Sequence, residues 1–443
     1  MKQQSKLYNF KNSPIPAWVL LGFFYLVSLT LLWPGIVSTD ASSQYASAIA
    51  GIYTDHHPPM MSFLWRYLDM LYPGPGLMFT FHLSMLYMAA AIFIKIFSNS
   101  KFKWWYAIYP LIPNILAYTS LIVKDAGFTY TYLLSGAVLA YLMVYKISKH
   151  KYLLLAPIVV LLFYGTAVKF QAQYLLIFFT VGIGYCVCNY KLNWRAIGYG
   201  VVLNIAIMLS IVALNSKLVP VTQKSNSWQL VKLYDLSAMS IMLNEPLYPQ
   251  FILQQQRFDF ERVKTEFEPR EVDSLVFPAN SVLKSGVNDE QREALWSYWF
   301  ATVKQHPLLY LKSRFRLFSY NLTTSPSERN DPVKFLRSTA LKPMLDHSLV
   351  ANLVNAGYSV FKIALRFIWL LPLLFFYCYI SVKNFKKANE AAPLLMYSVT
   401  SITMLLVLLF CSMAGTARYV FLCTCFMHAS HGFAYRTMEW KRK

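Results

Sequence analysis

Apolar runs long enough to cross a membrane recur along this chain, and they restrict its fold more than any other feature. They centre near residues 15–36, 77–97, 105–122, 126–146, 152–169, 172–188, 196–214, 357–380, 391–411 and 417–435, and include IAIMLSIVAL and ITMLLVLLF. With 56% hydrophobic and only 14% charged residues, much of the chain is too apolar to sit in water. A hydrocarbon layer is spanned by about 20 apolar residues in a helix, so the runs predict an all-α polytopic membrane protein. Roughly ten transmembrane helices are expected, a few of them near the ~17-residue lower limit.

Orientation is read from the excess of Lys and Arg that marks cytoplasmic loops. With the N-terminus inside, the inner segments hold Lys2, Lys6, Lys11, Lys95, Lys101, Lys103, Lys146, Lys149, Lys151, Lys191, Arg195, Lys383, Lys386, Lys387, Arg436, Lys441, Arg442 and Lys443. The short outer loops then hold Arg66, Lys124, Lys169 and Arg418. Both termini are therefore expected in the cytoplasm. Spreading cations over alternate loops also explains much of the +21 net charge as contact with anionic lipid. Nucleic acid is not expected as a partner, because no basic stripe with interleaved aromatics lies on one soluble element.

The opening MKQQSKLYNFKNSP precedes an apolar run too long for a secretory signal, and WPGIVSTD is a poor cleavage site, so an uncleaved first span is expected. The six cysteines fall in predicted spans, where thiols act as small apolar groups, and their spacing gives no disulfide framework or zinc pattern.

Three parts follow. Residues 1–214 form an N-terminal membrane module of about seven spans, with surface helices in a first outer loop at 37–76. Residues 215–355 form a mainly helical extracytoplasmic segment, and residues 356–443 a C-terminal module of about three spans. In the long segment, NDEQREALWSYWFATVK offers Asn288 as N-cap with Gln291 three residues on, then Leu295, Trp296, Trp299, Phe300 and Val303 on one face. HPLLYLKSRFRLFSY starts with Pro307 in a first-turn position and interleaves Arg314 and Arg316 with aromatics, as an interfacial helix would. A helical cap on the membrane domain is the plainer use of this pair. Asn321 begins a glycosylation sequon, NLT.

The first outer loop, STDASSQYASAIAGIYTDHHPPMMSFLWRYLDMLYPGPG, carries the chemistry. ASSQYASAIAGIY has a small polar face, with Tyr45, Ile49 and Ile52 on the other. DHHPP stops that helix and PMMSFLWRYLDML begins a second, so two short helices should lie along the membrane. They would hold Asp40 and Asp55 at the outer surface. Asp40 as a helix cap and Asp55, His56 and His57 as a polar turn is the bland alternative. The joint pattern favours a site: Lys124 and Asp125, Lys169 with Gln171 and Gln173, and Arg418 with Tyr419 occupy the other short outer connections. Every one is charged. Ionisable groups at the mouths of spans tend to face a cavity.

In this order of motifs the chain resembles the GT-C glycosyltransferases, which use polyprenyl-phosphate or dolichyl-phosphate sugars, as protein mannosyltransferases and the lipid A aminoarabinose transferase do. The STD and DHHPP of the first loop carry the likeness, with LIVKDAGFTY, LVKLYDLSAMS, HPLLYLKSRFRLF and GTARYVF further along. The resemblance implies a bacterial cytoplasmic-membrane enzyme and makes Asp40 the counterpart of the family's loop-one catalytic acid. DHHPP lies where the aminoarabinose transferase has an acidic, basic, Pro-Pro turn, with His56 in place of lysine.

The residue chemistry leads the same way. Attack on an anomeric carbon needs a base near the acceptor hydroxyl and cations near the departing phosphate. Asp40 can supply the base, with Asp55 as a positioner and Asp125 in reserve. Lys124, Arg418, Arg314 and Arg316 can supply the cations. His56, His57 and Tyr45 are candidates for acceptor or turn positioning. A divalent cation, Mg or Mn, is a candidate cofactor, with Asp40, Asp55 and Asp125 as its candidate ligands. The expected partners are membrane lipids, a polyprenyl-phosphate-linked sugar donor, and a glycan, lipid or protein acceptor. A transporter or flippase of a lipid-linked saccharide is the main alternative, although its site is expected near the membrane midplane rather than at one face. A non-catalytic regulator of polymer chains is a third.

Overall fold

The computed structural model describes residues 14–220, 224–325 and 363–439. Expectations for Lys2, Lys6 and Lys11, for residues 326–355, for the start of the run near 357, and for Lys441, Arg442 and Lys443 lie outside the described residues. Two compact units form: residues 1–223, 325–404 and 421–443 make the first, and residues 224–324 and 405–420 the second.

In chain order the elements are α1 (Ile15–Leu32), β1 (Ile36–Val37), α2 (Thr39–Ala50), α3 (Met60–Leu71), α4 (Gly76–Ile96), α5 (Phe102–Ile108), α6 (Pro113–Thr119), β2 (Leu121–Ile122), α7 (Lys124–Tyr145), α8 (Lys151–Val168), α9 (Leu176–Val187) and α10 (Trp194–Leu218). The second unit contributes α11 (Trp228–Leu243), α12 (Gln250–Leu253), α13 (Phe260–Glu266), α14 (Asp273–Val276), α15 (Asp289–Gln305) and α16 (Pro307–Thr323). The chain closes with α17 (Leu371–Asn384), α18 (Ala391–Cys411) and α19 (Phe421–Glu439).

Among the described residues, seven helices are long and apolar enough to cross a membrane: α1, α4, α7, α8, α10, α17 with the turn before it, and α18. This is a multi-pass membrane protein. Burial separates their roles. Of its most apolar stretch α7 buries 89%, packed by α4, α8, α9 and α19, whereas α1 and α10 each bury 17% and turn apolar side chains outward as a lipid solvent permits.

Three of the ten apolar runs do not make one long apolar helix. The run at 105–122 breaks into α5, a turn at Tyr109–Leu111 and α6, because Pro110 and Pro113 lack N–H donors and Ile112 is driven to an extended ψ of 128° before the second proline. The run at 172–188 gives a turn at Phe170–Tyr174 and then the 12-residue α9. In the run at 417–435, a turn at Ala417–Val420 precedes α19, whose Thr424, His428, Ser430 and His431 dilute its apolar character.

The two short helices expected in this loop are present as α2 and α3. Ser38, not Asp40, caps α2, its Oγ accepting from the Ala41 N–H at 3.2 Å. Gly51 ends α2 at φ +69°, and a Cβ there would strike the Arg66 guanidinium, which donates to the Ala48 carbonyl at 3.3 Å. Asp69 then ties α2 to the loop after α3, accepting from the Tyr45 hydroxyl and the Gly74 N–H, each at 2.7 Å.

In the second unit α11 is buried nearly all round, and Leu233, Leu236 and Met239 pack with Ile252, Leu275 and Leu295. Asn288 caps α15 by accepting from the Gln291 N–H at 2.8 Å, and Pro307 opens α16. The sequon residue Asn321 is fully buried in the folded protein, and its amide oxygen accepts from the Thr416 N–H at 2.9 Å.

Candidate functional site

Two strands of two residues each set the geometry of the first unit. β1 and β2 pair in parallel, Ile36 opposite Leu121 and Val37 opposite Ile122, and each runs directly into a helix. Parallel pairing brings the N-termini of α2 and α7 side by side, with Asp40 in the first turn of one and Lys124 and Asp125 in the first turn of the other. The approach depends on Gly35 at φ +91°, where a Cβ would come within 2.9 Å of both Ile122 and Phe79.

The DHHPP turn bridges the two starts. Lys124 Nζ lies 2.7 Å from His57 Nδ1, and His57 Nε2 lies 4.0 Å from Asp40 Oδ1. An ammonium has only donors, so Lys124 donates to Nδ1 and the imidazole's remaining proton sits on Nε2, toward Asp40. The Asp40 side chain keeps 28% of its exposure and can meet a ligand. The His56 ring lies tilted against that of His57, with centroids 4.5 Å apart. Burial and then the Lys124 charge push its pKa below the ordinary value, against the pull of Asp40 and Asp55. His56 is therefore neutral at pH 7.

Asp125 and Lys169 form an ion pair with each other, both side chains about 3% exposed. The pair links the start of α7 to the end of α8. The Asp40, Asp55 and Asp125 carboxylates do not gather as a metal site, and among the described residues no three His, Cys, Asp or Glu side chains do. Tyr45 is committed to Asp69 and packs on Trp65 with centroids 5.0 Å apart; burial and then Asp69 raise its pKa.

In the second unit Arg314 is wholly buried rather than interfacial. It donates to Asp235 Oδ2 at 2.7 Å and to the Ser412 carbonyl at 2.6 Å, and Trp299 Nε1 donates to the same carboxylate oxygen at 2.9 Å. Its charge is spent inside the unit. Arg316, two residues on, is exposed. Arg418 is half-buried against the Tyr419 ring. The space expected beside Gly415 is filled: a Cβ there would meet Tyr320 Cβ at 2.5 Å and the Leu317 carbonyl at 2.8 Å.

A further cluster lies on α11 and α15. Lys232 Nζ sits 4.9, 3.9 and 4.4 Å from the ring centroids of Trp228, Trp296 and Trp299. The helical spacings, Trp228 to Lys232 and Trp296 to Trp299, put each pair on one face, but nothing local to either helix brings the two faces together. No family model, curated protein or solved structure matches the chain.

Proposed function

We propose that this protein is a membrane glycosyltransferase of the GT-C type, moving a sugar from a polyprenyl-phosphate donor to an acceptor hydroxyl or amine at the outer face of a bacterial cytoplasmic membrane. The reading is carried by the convergence of Asp40, His57 and Lys124 at the paired starts of α2 and α7. Asp40 accepts the acceptor's proton as the acceptor atom bonds to the anomeric carbon. The bond from that carbon to the phosphate oxygen breaks, and its electron pair leaves with the polyprenyl phosphate. A single displacement inverts the centre. Two helix N-termini and the Lys124 ammonium supply positive potential to the departing anion.

Asp55 fits a positioning role beside the donor or acceptor, and neutral His56 offers hydrogen bonding rather than charge. Within the second unit, Arg316 and Arg418 keep surface for an anion. Arg314 does not, because its ion pair with Asp235 already uses it. Asp40→Asn should retain the wild-type melting curve while turnover of a polyprenyl-phosphate sugar falls by at least ~10²-fold, the scale of lost base catalysis. Normal turnover by that variant would remove Asp40 from the mechanism.

The Asp125–Lys169 pair, buried where two spans meet the first unit's outer connections, motivates a second reading, transport of a lipid-linked saccharide, since ionisable groups paired inside a helical bundle can mark a substrate path. Donor consumption by purified protein in detergent, where no gradient exists, separates the two.

A further inference from the structure

The structure assigns a second ligand site to the Trp228, Trp296 and Trp299 cluster: we propose that it binds an anionic saccharide, a pyranose bearing a carboxylate or phosphate, with Lys232 as the floor of the site. The inference stands on these four side chains and does not depend on glycosyl transfer.

Lys232 is 6% exposed, yet among the described residues its ammonium makes no hydrogen bond. Its contacts are the three ring faces. Asp235, one turn along α11, has its Oδ2 taken by Arg314 and Trp299; its Oδ1 is buried without a hydrogen-bond partner, and it acts on Lys232 through charge alone. Burying an ammonium without an acceptor is costly, and a methionine of similar length would fill the space between three indoles without that cost. The arrangement leaves three N–H donors aimed into an aromatic surround. Trp296 is 51% and Trp228 38% exposed, so ring surface remains for a ligand beside the cation. Phe300, one turn beyond Trp296 and 48% exposed, continues the platform, with Lys304 over its ring at 4.4 Å.

Pyranoses meet such a surface in two ways. Their C–H faces pack on indole rings, and their oxygens accept from a cation at the edge. Neutral sugars would use the first contact alone. A carboxylate or phosphate would also supply the charged acceptor that Lys232 lacks.

The groups facing Lys232 are Asp235 on its own helix, Arg314 on α16 and Cys411 at the end of α18; burial, helped by the Arg314 charge, outweighs Asp235 and Cys411 and brings the ammonium down to about 8. Affinity for an anion should therefore fall as pH rises from 7 to 9, where a purely aromatic platform would be indifferent.

The test is binding of a trigalacturonate to the purified full-length protein, measured by calorimetry beside maltotriose, inorganic phosphate and anionic lipid vesicles. The expected result is that trigalacturonate binds at least tenfold more tightly than maltotriose or phosphate. Trp296→Ala and Lys232→Gln should each weaken it at least tenfold with unchanged far-ultraviolet circular dichroism. If Lys232→Gln fails to fold, the half-exposed Trp296→Ala and the pH series carry the decision. Equal binding of maltotriose, equal binding of phosphate, binding to vesicles alone, or trigalacturonate affinity unmoved by Trp296→Ala would each overturn the proposal. Retained turnover in Asp40→Asn leaves this site untouched, so the two readings fail separately.

Discussion

His57 couples the acid and the cation of the first unit, because one nitrogen is engaged by Lys124 and the other is left to face Asp40. His57→Phe would keep the ring's bulk and remove both contacts. Lys124 would lose a fixed partner, so under the proposed function donor affinity should weaken by about tenfold while the melting temperature changes little; initial rates over a range of donor concentration would measure this. The neighbouring pair predicts the opposite kind of damage. Lys169→Met leaves Asp125 buried without a cation and should cost about 3–5 kcal/mol, the usual penalty for an orphaned buried charge. The double variant Asp125→Asn, Lys169→Met should recover most of that loss. Melting curves in one detergent, with wild type as reference, give the comparison, and equal loss in the single and double variants would contradict it.

The β1–β2 ladder, two residues per strand, fixes where α2 and α7 begin. Gly35→Ala should therefore disturb more than a turn: the φ of +91° and the 2.9 Å approaches to Ile122 and Phe79 would both have to relax, at about 1–3 kcal/mol. Chemical denaturation tests the size. The same elements mark how far the sequence could be read. Amphipathic spacing and the prolines of DHHPP gave away α2 and α3, and the cap chemistry of Asn288 and Pro307 gave away the starts of α15 and α16. Those signals lie within a few residues of the feature they announce. The ladder, the Asp125–Lys169 pair and the indoles around Lys232 join residues far apart in the chain, and no periodicity reports a partner at that distance. The Pro110 and Pro113 break was present in the sequence, but the apolar content of 105–122 masked it. Likewise Lys151, read in the sequence only as an inner-loop cation, caps α9, donating to the Cys186 and Val187 carbonyls at 3.0 and 3.1 Å.

For the whole molecule, the alternation of charge between loops predicts that residues 215–355 lie outside and Lys149 inside. With Cys188 and Cys411 changed to serine, Lys284→Cys should react with a membrane-impermeant maleimide added from outside, and Lys149→Cys only after permeabilisation. The reverse pattern would invert the topology. The parallel ladder also sets an order in time. β1 leaves the ribosome early, but it has no partner until β2 has been made, after α4, α5 and α6, so the first loop waits through the insertion of later segments before its acid is fixed. A chain halted before residue 121 would carry Asp40 but could not seat it, and any assistance this protein needs during synthesis should act within that interval.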